Sequence, residues 1–223
     1  MENTWCSPTT FFDLTKYAHR SLFEQSSAVW NVLEKLEGYL HQQKLGVIEG
    51  VIEPGAFLIN PESISIGAGT VVEAGAYIRG PCVIGKNCQI RHTAYIRGVV
   101  LVGDRCVIGH ASEVKHSVFL DHAKAAHFAF VGDSILGNDV NLGAGVRCAN
   151  LRLDEQPVSI RYHGEVCSTG LRKCGVFLGD GCQIGCNSVL NPGTLMGKRA
   201  QCFPCVNCGG FVEAGVCVRR RSS

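Results

Sequence analysis

From Ile66 to Leu120 a branched aliphatic returns every sixth residue: Ile66, Val72, Ile78, Ile84, Ile90, Ile96, Val102, Ile108, Val114 and Leu120. A small residue follows four positions after most of them, as at Thr70, Ala76, Cys82, Cys88, Ala94, Cys106 and Ser112. Glycine often comes directly after the aliphatic, as in Ile66-Gly67, Ile84-Gly85, Val102-Gly103 and Ile108-Gly109. A period of six fits neither the 3.6-residue helix nor the two-residue alternation of a long strand. It is the hexapeptide pattern of a parallel β-helix, in which each hexad supplies one short strand and one corner. The aliphatic and small residues point inward, and glycine takes corners that punish a Cβ. Three hexads close a coil, so residues eighteen apart stack at strand spacing, about 4.8 Å.

The pattern divides the chain. Residues 1–45 lack hexads; Phe11, Phe12, Leu14, Tyr17 and Leu22 predict a first helix starting near Pro8 to Thr10. Trp30, Leu33, Leu36 and Leu40 predict a second, capped by Ser26 or Ser27. This segment is expected to be a helical cap or arm on the first coil, where a solenoid otherwise exposes a sheet edge. The β-helix is expected over 46–213. After Leu120 the register breaks, and Leu136-Gly137 and Leu142-Gly143 resume two residues out of phase. The break holds Lys124-Ala-Ala-His127-Phe-Ala-Phe130-Val-Gly-Asp133, a polar, His-bearing irregularity where function is expected. A second gap, 150–176, reads as an inserted loop with a projecting hairpin over Val158–Tyr162 and Glu165–Cys167. Hexads then return at Leu178, Ile184, Leu190 and Met196, and 214–223, with Arg219 to Arg221, is expected to be a basic tail.

Composition removes several classes of function. The 223 residues are 46% hydrophobic and 18% charged with a net charge of +2, so no broad field favours nucleic acid or membrane. The N-terminus lacks a basic, apolar leader and no run is long enough to span a bilayer, so a cytoplasmic protein is expected. Of thirteen cysteines, Cys82, Cys88, Cys106 and Cys182 fall in the small inward slot and Cys202 and Cys208 in the aliphatic slot. Buried thiols act there as small hydrophobes. The run Cys202-Phe-Pro-Cys205-Val-Asn-Cys208 has ligand-like spacing, but a β-helix sends positions 202 and 208 to different sides of one coil, so no metal is expected.

Sorted by eighteens, one corner column reads Arg79, Arg97, Lys115. Cations held about 5 Å apart repel one another unless an anion or solvation intervenes. A phosphate bridging Arg97 and Lys115 would supply charge-assisted hydrogen bonds; three solvated surface charges are the alternative.

Several short stretches carry a resemblance. Glu113-Val-Lys115, Lys124-Ala-Ala-His127, Val131-Gly-Asp133, Val140-Asn141-Leu-Gly-Ala-Gly145 and Asn150 resemble the acetyltransferase domain of the bifunctional UDP-N-acetylglucosamine pyrophosphorylase/glucosamine-1-phosphate N-acetyltransferases. Arg97 precedes Lys115 by eighteen residues, as the arginine does in that family. Asn150–Asp154, Thr169–Lys173 and Leu190–Gly193 are similar to C-terminal domains of the sugar-1-phosphate nucleotidylyltransferase-like branch. The resemblance covers about residues 50–210 and implies a left-handed parallel β-helix that trimerises, with active sites between subunits. The implied reaction is acetyl transfer from acetyl-CoA to the amine of an amino-sugar 1-phosphate, glucosamine 1-phosphate foremost, in UDP-N-acetylglucosamine biosynthesis. Nothing in 1–45 resembles a nucleotidylyltransferase, so a separate one is an expected partner.

By the same resemblance His127 is the general base, a role suited to a side chain titrating near neutral pH, and Glu113 orients it. Arg97 and Lys115 clamp the sugar phosphate, Asn141 and Asn150 hold the sugar, and amides near Ala144 meet the thioester oxygen. Cys186 and Pro204 match coenzyme contacts. Phe130 stands where the family has a tyrosine and Gln156 where it has a lysine, each removing a polar contact. Lys115 and His127 are two hexads apart and belong to different corners. They can serve one substrate only through the broken register or a neighbouring subunit.

Two other readings compete. His122-Ala-Lys-Ala-Ala-His127 has the spacing of a γ-class carbonic anhydrase-like zinc site, but the place of a third ligand is Lys86. A non-catalytic sugar-phosphate-binding scaffold would account for Phe130 and Gln156.

Overall fold

One inward aliphatic per short strand lets the strands stack into three flat faces around a narrow core. The computed structural model describes residues 4–219, and Arg220 and Arg221 of the expected tail lie outside the described residues. Among the described residues the first face has nine parallel strands, from Val51–Ile52 to Cys217–Val218. The second has eight, from Phe57–Ile59 to Asn207–Cys208, and the third eight, from Ile64–Ile66 to Phe211–Val212. The fold is a left-handed parallel β-helix with a short N-terminal helical segment. Cys217–Val218 pairs with Gln201–Cys202, so the solenoid runs past residue 213, where a tail was expected. Glycine after the aliphatic is demanded by the approach of the next rung: a Cβ on Gly85 would lie 2.6 Å from the carbonyl of Gly103.

The phase shift has a simple origin. Ile84 pairs with Val102 eighteen residues on, but Val102 pairs with Phe119 and Phe119 with Leu136, each at seventeen. Both lost residues come from the corner joining the second face to the third. Phe119, not Leu120, therefore enters the core, and Leu120 turns outward to pack under the N-terminal segment. The stretch expected to be irregular is regular instead, with strands Lys124–His127 and Phe130–Gly132 in full parallel pairing. The same corner takes the insertion, since Leu136 next pairs with Leu178.

The outward side of the third face is apolar (Leu101, Val118, Ile135, Phe177, Leu195) and must be covered, as both faces of a buried parallel sheet are. The N-terminal segment does this, lying along the third face rather than capping the first coil. Its first helix is only Pro8–Phe11, followed by a 3-10 turn at Arg20–Phe23. The second, Asn31–His41, buries Val32, Leu33, Leu36 and Leu40 against the face. Neither Ser26 nor Ser27 caps it; the Asn31 side chain accepts the Ala28 N–H at 3.1 Å instead. The inserted hairpin, Ser159–Tyr162 with Glu165–Ser168, lies on the same surface rather than projecting. Val158 and Ile160 are buried there, and Tyr162 stacks on Trp5 at 4.3 Å.

Candidate functional site

The second face presents two outward columns, because alternate residues of a strand point to the same side. Glu113, Phe130 and Arg147 share one, and Arg97, Lys115 and Gly132 the other. Arg97 and Lys115 occupy adjacent rungs, with the Arg97 N–H donating to the Val114 carbonyl at 2.9 Å. Their repulsion is relieved by carboxylates of the chain itself, not by an open gap awaiting an anion. Arg97 pairs with Glu113 at 2.7 Å, and Lys115 with Asp133 at 3.0 Å. Glu113 is thereby committed to Arg97 within this chain rather than to His127.

Asp133 is the hub of this corner, and sequence reasoning gave it no role. Its buried carboxylate meets Nδ1 of His116 at 2.9 Å and accepts the Asn150 side-chain amide. Burial alone would push the Asp133 carboxyl up. Hydrogen bonds from His116, Asn150 and Lys115 more than offset this and hold it below the ordinary aspartate value. Nε2 of His116 reaches the Leu33 carbonyl at 3.1 Å, tying the clamp to the N-terminal helix. His116 and Asp133 both adopt left-handed corners, φ 43° and 50°, as many other non-glycine corner residues of the solenoid do, so no local signal sets them apart. Gly132 leaves room for its neighbours: a Cβ there would sit 2.8 Å from the Asn150 amide nitrogen and 2.9 Å from the tip of the Phe130 ring. Gln156 lies exposed in the insertion, its N–H on Asp154 at 3.3 Å.

The other expected residues gather at the corner joining the first face to the second. His127 ends its strand and is exposed. It stacks in a column above His92 and His110, and the column continues through Ala144, Cys186 and Pro204. The lower two rings lie parallel at 5.8 Å, and each is tied by Nδ1 to a carbonyl, that of Ala74 for His92 (2.6 Å) and that of His92 for His110 (3.3 Å). Among the described residues no hydrogen bond or ion pair ties the His127 ring, which is exposed. Beside it Gly143 N–H donates to Ile184 and Gly145 N–H to the His127 carbonyl at 3.1 Å. At lower rungs of the column the amides of Ala74 and His92 are taken by Glu53 and Glu73. The Ala144 amide has no such carboxylate and no acceptor among the described residues. A groove of about 350 Å³ follows, lined by Asn141, Gly143, Gln183, Cys186, Phe203 and Pro204 among others.

The expected set is thus brought together as two groups. Arg97, Glu113, Lys115, Phe130 and Asn150 share the second face and its far corner, whereas His127, Asn141, Ala144, Cys186 and Pro204 share the near corner and groove. The width of one face separates Lys115 from His127 within a chain. Within one chain, among the described residues, the zinc reading finds no converging ligand set. His122 precedes and His127 ends one strand, and the nitrogens of His122 face the Arg105 guanidinium at 2.7 Å and Asp139 at 3.0 Å. Cys202 and Cys208 point inward and their thiols meet in the core, while Cys205 is exposed on the corner between them, so the three sulfurs do not converge. Among the described residues no three His, Cys, Asp or Glu side chains form a metal-holding group, and no helix is long and apolar enough to cross a membrane.

A hexapeptide-built left-handed β-helix with a histidine corner beside a groove is compatible with acyl transfer from a coenzyme. Comparison with known proteins agrees, and the chain belongs to the hexapeptide-repeat acetyltransferase family. It is 36% identical over 174 residues to the uncharacterized acetyltransferase YaiX of Escherichia coli O6:K15:H31, covering 77% of this chain and 74% of that protein. It is 35% identical over 179 residues to the bifunctional sugar-1-phosphate nucleotidylyltransferase/acetyltransferase of Sulfurisphaera tokodaii, 78% of this chain but only 43% of that longer protein. Residues 78–170 match the model of the GMPPB C-terminal domain. In structure the chain is similar to UDP-N-acetylglucosamine acyltransferase of Francisella novicida, with TM-score 0.51 and 16% identity over 75% of this chain and 67% of that one.

Proposed function

We propose that this protein transfers an acetyl group from acetyl-CoA to the amine of an amino sugar carrying an anomeric phosphate, glucosamine 1-phosphate being the simplest. The observation that carries the reading is the first corner. An unengaged imidazole, a free backbone amide and an open groove follow one another along one column. The groove suits a pantetheine arm, being open and mostly apolar, with Asn141 and Gln183 among its lining residues. As the amine attacks the thioester carbonyl, His127 takes its proton and later returns it to the departing sulfur. The Ala144 N–H is placed to meet the oxygen that gains negative charge. Arg97 and Lys115 hold the phosphate by charge-assisted hydrogen bonds, with Glu113 and Asp133 fixing their side chains beforehand.

The clamp and the base lie a face apart within one chain, so one acceptor touches both most simply across a subunit boundary. A homotrimer, in which one chain's corner faces the next chain's second face, meets that need. The arm and hairpin already occupy the third face, leaving the first two for contact. The test is acetyl-CoA consumption with glucosamine 1-phosphate. His127→Ala is expected to slow turnover by about 10²–10⁴-fold without changing the thermal midpoint, because the ring supports no packing. Equal rates would refute the assignment.

A further inference from the structure

One carboxylate sets the corner where Lys115 stands. Oδ2 of Asp133 takes the Lys115 ammonium at 3.0 Å and the Asn150 side-chain amide. Among the described residues Oδ1 takes a single donor, Nδ1 of His116 at 2.9 Å. The other side of that ring belongs to the N-terminal arm, where Nε2 lies 3.1 Å from the Leu33 carbonyl of helix Asn31–His41.

Both partners can only accept. A backbone carbonyl has no proton to give, and the Asp133 carboxyl, held below the ordinary aspartate value, is ionised. Each ring nitrogen must therefore donate, so this arrangement belongs to the imidazolium. A neutral ring would turn a lone pair on one of the two oxygens, and that bond would be given up. Whichever is lost, the arm and the Lys115 corner part. On the solenoid side the charged neighbours are Asp133 and Lys115. The Cys174 thiol beside Asp133 is pushed up to about 12 by burial and stays neutral. On the arm side the helix meets the ring through the Leu33 carbonyl. Glu34 and Lys35 of that helix are turned to Asn31 and to Glu24 and Ser26, and Glu37 is exposed.

We infer that His116 is a positioning residue of the acceptor site. As an imidazolium it braces Asp133, and through it Lys115, against the N-terminal helix, and the clamp is set only while the ring keeps both protons. This rests on the proposed role of Lys115 in holding the acceptor's phosphate, but the brace can be measured without that role. It is present on the acid side of the ring's titration and lost on the alkaline side, with Asp133 ionised throughout.

The test is calorimetric titration of the full chain with glucosamine 1-phosphate at about pH 5.5 and about pH 8.5, either side of the histidine range, for wild type and His116→Asn. Asparagine tolerates the left-handed φ of 43° at this corner. The variant should bind about tenfold more weakly at the lower pH and about equally at the higher; ionisation of the ligand itself cancels in the ratio. A ratio that does not change with pH would overturn the inference, because a merely structural loss behaves in that way. Urea midpoints of the same two proteins read the brace without ligand. The variant's deficit should shrink from the lower pH to the higher, and a deficit independent of pH would also overturn the inference. If neither protein binds glucosamine 1-phosphate while the deficit shrinks as expected, the acceptor reading falls and the brace between arm and Asp133 stands. If both bind and acetylate it with a constant ratio, only the role of His116 falls.

Discussion

The ammonium of Lys115 sits 3.0 Å from a carboxylate oxygen of Asp133, one rung above it on the same corner. Because Asp133 also receives His116 and Asn150, it joins the Lys115 corner, the mouth of the insertion and, through His116, the N-terminal helix.

Replacing Asp133 by Asn should cost roughly 3–5 kcal/mol at neutral pH, the range for stranding one partner of a buried pair. The folded-state value of this carboxyl is depressed, so its stabilisation is present above the unfolded value near pH 3.9 and drains away as pH falls through the lower folded value. Urea denaturation from pH 6 to pH 3 should therefore show a decline below about pH 4 that is shallower in Asp133→Asn. Parallel curves for the two proteins would remove Asp133 from this role.

Gly132→Ala should fold yet bind acceptor poorly. The new methyl group would meet the Asn150 amide and the Phe130 ring, both flexible side-chain atoms, so the rung survives while they move. A displacement of this kind is expected to raise KM for the sugar phosphate by roughly 10–100-fold, with KM for acetyl-CoA unchanged. Steady-state kinetics with each substrate varied in turn reads the difference.

Cys186 is exposed and lines the groove assigned to acetyl-CoA. Its alkylation by iodoacetamide should slow when acetyl-CoA is present, while Cys167 on the distant hairpin labels at the same rate. Cys148 should not label in the folded protein, since burial pushes its thiol up to about 12. Peptide mass spectrometry after timed quenching follows each site, and unprotected Cys186 would place the coenzyme elsewhere.

The N-terminal arm should contribute to global stability. Leu36→Ala, which opens a cavity between the second helix and the third face, is expected to cost about 2–5 kcal/mol in urea unfolding. A loss under 1 kcal/mol would mean the arm detaches before the solenoid melts.

The repeat was legible because six-residue spacing leaves the same slot inward on every rung, as Ile66, Ile84 and Val102 do. Leu120 misled because it is apolar and in phase, while the actual core residue, Phe119, lies one position earlier after a shortened corner. Periodicity also cannot say which outward face is apolar enough to need cover, so the arm was expected at the end of the stack. At the site, the cations and the histidine could be found from spacing, but the carboxylates answering them could not. Because that coil is one residue short, Asp133 falls over His116 rather than directly over Lys115 and meets both, while Glu113 and Arg97 meet across rungs sixteen residues apart.

Every change of coil length from Val102 to Leu178 falls in the corner between the second and third faces: two single-residue losses and one long insertion. That corner is a natural seam for splicing. A peptide grafted in the hairpin turn, between His163 and Gly164, would lie outside the three parallel ladders of the solenoid, leaving the stacked register, and with it the spacing of Arg97, Lys115 and His127, as it is.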